Sequence, residues 1–121
     1  MIQEMTPSTN QIETDERVRF HALPSRLATL EMHGNDCGVL DATGLGQLDD
    51  HLQCLSEQAD WRTVVIDLSR IRWITAEFLD LIDRFRRRLR LQHRRLSLWG
   101  VQPQCAHLLR LGGLGKMIAR G

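Results

Sequence analysis

Hydrophobic positions along the chain fall into two kinds of period, separated by turn signals. Val18, Phe20 and Ala22 alternate with Arg17, Arg19 and His21, as in a half-exposed strand. Pro24-Ser25 marks a turn, and Leu27-Ala28-Thr29-Leu30 predicts a second strand ending by Gly34. The two strands suit a hairpin. Asn35 to Gly38 form a loop, and Asp41 or Thr43 is placed to cap a following helix. Leu45, Leu48, Leu52 and Leu55 recur at steps of three, four and three, the apolar stripe of a helix ending near Gln58. Gly44 and Gly46 weaken its first turn. Val64-Val65-Ile66, β-branched and flanked by polar residues, predicts a strand buried on both faces. A second helix is predicted from Ala76 to Leu91, with Phe78, Ile82, Phe85 and Leu89 inward. Leu96 and Leu98 bracket another strand, with Val101 at its margin. Pro103 opens a short third helix carrying Leu108, Leu109 and Leu111, and Gly112-Gly113 stops it.

The predicted order is β-β-α-β-α-β-α, an α/β fold with a small mixed sheet and helices packed against it. Strand–helix–strand units of this length favour parallel neighbours. Residues 1–15 are polar and without period and read as a disordered leader. Residues 16–121 then form a single domain, as a chain of 121 residues allows. Sixteen basic against fifteen acidic residues leave a net charge of +1, too neutral to argue for global attraction to nucleic acid or anionic lipid. The longest strictly apolar runs, Val64 to Ile66 among them, are far short of the roughly 20 residues of a membrane-spanning helix. Glu4, Glu13, Asp15 and Glu16 are unlike a signal peptide. The cytoplasm is the expected compartment, with no direct membrane insertion.

Little points to catalysis or a metal. Cys37, Cys54 and Cys105 cannot all pair within one chain and read as reduced, partly buried thiols. His51 and Cys54 share a helical face, but a structural zinc needs a second close pair. Cys105 and His107, two apart, do not supply it. No metal and no cofactor is expected. Arg84, Arg86, Arg87, Arg88, Arg90, Arg94 and Arg95 crowd the end of the second helix. Asp80–Arg84 and Asp83–Arg87 make i,i+4 pairs, so a solvated face suited to the helix dipole is the simplest account. An acidic protein partner is the next. Nucleic acid is not expected, since only the inward Phe85 interleaves with the run. No G-x-S-x-G, phosphate loop, H-E-x-x-H or dinucleotide fingerprint is present. Asp67, at a strand end, is more simply a loop anchor accepting backbone N–H bonds than a catalytic acid.

Val64-Val65-Ile66-Asp67-Leu68-Ser69 runs through Ile71-Arg72-Trp73-Ile74 into Thr75-Ala76-Glu77-Phe78-Leu79. This stretch resembles the hallmark of STAS domains of the anti-sigma-factor-antagonist type. There, a strand ending in hydrophobic-Asp-Leu-Ser leads through a Phe-Ile-like pair into Asp-Ser-Ser-Gly-Leu. Arg94 to Val101 is similar to the family's next strand, and Pro103 onward to its third helix and Leu-rich turn. Leu40-Asp41-Ala42 matches the approach to its first helix. The likeness covers roughly residues 17 to 118.

The resemblance implies a non-catalytic bacterial regulatory domain in signal transduction and transcription control. Its partner would be an anti-sigma factor of the GHKL serine-kinase type. In that family the kinase phosphorylates the first Ser of Asp-Ser-Ser-Gly, and only the unmodified form binds. The site residues carried over are Asp67, Ser69, Trp73, Thr75, Ala76 and Glu77. This chain departs at each switch position: Thr75 stands at the Asp, Ala76 at the phosphorylated Ser, Glu77 at the second Ser and Phe78 at the Gly. Alanine has no hydroxyl, so the usual switch is absent. Binding without phospho-control, phosphorylation moved to Thr75 or Ser69, and a fixed charge from Glu77 all remain open. Thr75 is expected foremost to be an N-cap. Family members continue into a further strand and closing helix, so the domain reads as C-terminally short. An open sheet edge would leave room for a partner or a homodimer. Two other functions stay in view: a STAS accessory subunit of a membrane transporter, such as a lipid-trafficking ABC system, and a small-ligand or nucleotide-binding module around Asp67, Ser69 and Thr75.

Overall fold

A computed structural model describes residues 16–23, 26–58 and 60–119. The expected leader, residues 1–15, lies outside the described residues. Two strands, β1 (Val18–Leu23) and β2 (Leu27–Met32), are followed by helix α1 (Ala42–Glu57) and β3 (Thr63–Asp67). Then come α2 (Ala76–Leu91), β4 (Arg95–Trp99), α3 (Pro103–Leu111) and a 3₁₀ turn, Gly115–Met117. The sheet order is β1-β2-β3-β4, antiparallel at the hairpin and parallel elsewhere. The predicted order of elements and the mixed sheet are both present.

Alternate residues of the sheet face the helices. Ala28, Leu30, Met32, Val64, Ile66 and Leu98 join one core with Leu48, Leu52 and Leu55 of α1 and with Phe78, Ile82, Phe85 and Leu89 of α2. Register aligns Leu30 with Ile66 and Leu98, and aligns Glu31 with Asp67 and Trp99 one residue further on. Val64, Val65 and Ile66 are each fully buried, as expected of a central strand.

The sequence also explains the helix ends. Asp41 caps α1, its Oδ1 accepting from Gly44 N at 3.1 Å, and also pairs with Arg17 Nη1 at 2.9 Å. Gly44 weakens that first turn for a packing reason. A Cβ there would come within 2.5 Å of Leu40 Cδ1, and Leu40 is buried beneath it. Pro103 occupies the start of α3, and Gly113 follows its end at φ +78°.

Several details differ from expectation. Of the leucines carried on α3, Leu109 is buried with Cys105 and Ala106 on the inner face, whereas Leu111 is 72% exposed. Val101 falls outside β4. Cys37 and Cys54 are exposed rather than partly buried, and only Cys105 of the three is buried. Asp83 pairs with Arg87 at 3.0 Å and also with Arg86, whereas Asp80–Arg84 is not among the ion pairs. Two exposed long side chains gain too little at a wet surface to hold one geometry. The outer edge of β4 is not wholly open either. Ile118 bridges Leu98, and Ala119 N donates to Leu98 O at 2.8 Å, so the C-terminal segment itself begins the covering.

Candidate functional site

The segment from Asp67 to Thr75 links the end of β3 to the start of α2, and three apolar anchors hold it. Leu68 and Ile71 are fully buried and Ile74 is 9% exposed, so every third residue points into the core. Leu68 N donates to Trp99 O at 2.8 Å, and Ile71 N to Leu68 O at 2.9 Å. Asp67 is the expected loop anchor: its Oδ1 accepts from Ser69 N at 2.9 Å.

Flanking segments clamp the loop from both sides. On one side Gly38 O accepts from Arg72 N (2.8 Å) and Trp73 N (3.3 Å), while Val39 bridges Trp73. Gly38 sits at φ +77°, and a Cβ there would lie 2.6 Å from the Arg72 side chain. Glycine is thus required on both conformational and packing grounds. Asn35 Oδ1 braces this turn through Cys37 N and Val39 N. From the other side Gln102 Nε2 donates to Ser69 O and Gln104 Nε2 to Arg72 O, each at 3.0 Å. The Cys105 thiol lies 3.6 Å from Ile71 O, and burial pushes its pKa up.

This framework presents a small outward surface. Trp73 is 52% exposed and Trp99 44%, and Ser69, Ala76 and Glu77 are exposed. Thr75 is the N-cap, its Oγ1 accepting from Phe78 N at 3.2 Å. Glu77 places an acid in the first turn, favourable to the helix dipole. Phe78 turns inward and is 1% exposed. Beside this surface, Glu31 gathers His33 Nε2 at 3.2 Å, His21 Nε2 at 3.7 Å and Arg70 Nε at 3.8 Å. The closeness of the His33 imidazole, followed by the Arg70 guanidinium and the His21 ring, holds its carboxyl below the usual range.

All six sequence-predicted residues thus lie on one segment, with Asp67 and Thr75 engaged in backbone capping. Sequence alone assigns no role to the residues that brace it, Gly38, Gln102 and Gln104, and leaves Trp99 either core or contact. Asn-x-x-Gly in a loop, and glutamines on either side of a helix-starting proline, are the faint signals that were available. A groove of about 380 Å³ between Val65, Ser97, Trp99 and Ile118 borders this surface at Trp99, and a notch of about 170 Å³ lies apart from it between Phe20, Cys54 and Trp61. Among the described residues, no group of three or more His, Cys, Asp or Glu is arranged to hold a metal ion. No helix among them is long and apolar enough to cross a membrane.

The braced loop and helix start thus sit at one end of a four-stranded mixed sheet. The chain belongs to the STAS domain family: residues 37–119 match the family model described as "Mlab, STAS domain". Domains of this family are generally regulatory rather than enzymatic. Solved structures with the same fold include the anti-sigma factor antagonist SpoIIAA in its unphosphorylated form, 15% identical, with TM-score 0.74 over 86% of this chain and 87% of that one. An anti-sigma-factor antagonist (STAS) domain protein from Planctomyces limnophilus is 18% identical, with TM-score 0.71 over 86% and 91%. A sulfate transporter family protein from Wolinella succinogenes is 15% identical, with TM-score 0.61 over 81% and 80%. A search of curated proteins found no sequence match.

Proposed function

We propose that the chain is a non-catalytic docking domain that binds a regulatory protein through Trp73, Thr75, Ala76 and Glu77, without control by phosphorylation. One observation carries this reading: Ala76 lies exposed at the first position of α2, beside a half-exposed Trp73, on a backbone bonded from both sides. A hydroxyl at that position would offer a phosphorylation site at a helix N-terminus, where a dianion is locally tolerated yet blocks a docked partner. Methyl in its place leaves the surface permanently competent. The neighbouring Thr75 hydroxyl is occupied as a cap.

An anti-sigma factor of the GHKL kinase type is the partner this resemblance favours, with transcription as the regulated process. The family model that matches, Mlab, and the likeness to a sulfate transporter family protein support a second reading, an accessory subunit of a membrane transporter. Affinity capture from the native host separates the two, by recovery of a GHKL-type kinase or a transporter ATPase. Loss of capture in Trp73→Ala is expected in either case. Mass spectrometry of the captured protein should find Thr75 and Ser69 unmodified. Stoichiometric phosphate on either would refute the unswitched mechanism.

A further inference from the structure

The net charge of +1 hides a segregation that emerges only on folding. Arg62 N donates to Arg26 O at 3.0 Å and Arg95 N to Arg62 O at 2.9 Å. These bonds align three arginines across the ends of β2, β3 and β4 remote from the start of α2. The last turn of α2 lies at this same end. Gln92 Nε2 and Arg94 Nη1 reach Ser56 O and Leu55 O of α1, each at 3.1 Å. Arg88 and Arg90 therefore join the group. Arg26, Arg88 and Arg94 are committed to Asp60 O, Ser56 Oγ and Leu55 O. Arg62, Arg90 and Arg95 are exposed, and among the described residues none of them forms an ion pair. Glu57 and Asp60 are the acids that share this end, while Asp83 is already matched by Arg86 and Arg87.

Complementing the helix dipole accounts for arginines at the end of α2. It does not account for Leu91, which stands 84% exposed among them. Nor does it account for Arg62, which precedes β3, or Arg95, which begins β4. Trp61 lies half-buried next to Arg62, its ring against the Phe20 edge and its Nε1 bonded to Gln58.

We infer that this end of the molecule is a contact surface for an anionic phospholipid bilayer. Arg62, Arg90 and Arg95 meet the headgroup phosphates, and Leu91 dips between them. An acidic protein would be met by a packed apolar centre ringed with polar contacts. A lone protruding leucine among long flexible cations needs no matching shape, and a fluid interface supplies none. The surface lies a full helix away from Ala76, since the 16 residues of α2 span about 24 Å. The inference therefore stands whether or not the docking reading does.

Sedimentation of the full chain with phosphatidylcholine vesicles, with and without phosphatidylglycerol, tests it. Binding is expected only with phosphatidylglycerol, and added salt should release it. Arg90→Gln and Arg95→Gln should each weaken binding about fivefold, the equivalent of one basic residue at an anionic surface. Leu91→Gln should weaken it by a similar factor, roughly fivefold, while leaving the salt dependence unchanged. All three positions are exposed, so thermal melting should not move. Absence of phosphatidylglycerol-dependent sedimentation overturns the inference, as does binding indifferent to all three substitutions. Retention on immobilised poly-glutamate without vesicle binding also overturns it and assigns the surface to an acidic protein.

Discussion

Thr75 and Ala76 stand next to each other and do opposite things. The threonine hydroxyl is spent on the backbone, accepting from Phe78 N at 3.2 Å, while the alanine offers nothing to modify. Thr75→Ala is expected to lower stability by about 1 kcal/mol, the usual worth of a helix cap, as measured by urea unfolding. Thr75→Asn should recover most of that loss, since its side chain caps equally well. Phe78, which the resemblance sets at the family's glycine, is 1% exposed and serves packing. The ring fills core between the sheet and α2.

At the scale of elements, α2 is held by charge as well as by its apolar stripe. Asp83 sits between Arg86 and Arg87. Hydrogen bonding from Arg86, with the Arg87 charge behind it, holds its carboxyl below the ordinary 3.8. A carboxylate lowered on folding stabilises the folded state above its unfolded pKa and loses that contribution as pH falls through the folded value. Asp83→Asn should therefore be less stable than the parent near neutrality. The gap should close as acid is added, from about pH 4 downward, in melting curves taken across pH.

The elements were legible because their signals are local. The Leu48–Leu52–Leu55 stripe, the Val64–Ile66 run and Pro103 each report on their own segment, and the bounds of α2 match expectation. What escaped were contacts between segments. Nothing in the sequence states that Gln102 and Gln104 reach Ser69 and Arg72 across more than 30 positions. Likewise, two short apolar steps at Leu68, Ile71 and Ile74 carry too little periodicity to reveal a buried loop. Nor does the short third helix tell which of its leucines is covered: Leu109 is buried and Leu111 is 72% exposed.

The whole molecule is polarised: the proposed docking end, rimmed by the exposed Trp73 and Trp99, lies at the start of α2, and the arginine-rich end lies at its finish. Substitutions this far apart should act independently, because distant sites without shared partners add. In the double variant Trp73→Ala with Leu91→Gln, protein capture should fall as in the first single variant and vesicle binding as in the second. Loss of about 2 kcal/mol in partner affinity is expected for Trp73→Ala, in line with a central aromatic anchor, with no change in melting temperature. Coupling between the two readouts would show that the ends communicate.

The bracing of the loop between Gly38 and the glutamines at the start of α3, Gln102 and Gln104, also bears on how fast a partner is caught. A segment already fixed in its bound shape gives up little freedom on association. Encounter then has no folding step to wait for, and the observed rate should climb in strict proportion to partner concentration, with no plateau set by a slow rearrangement of this chain. Gly38→Ala would unseat Arg72 and the adjacent backbone, and a ceiling on that rate is where the damage would surface.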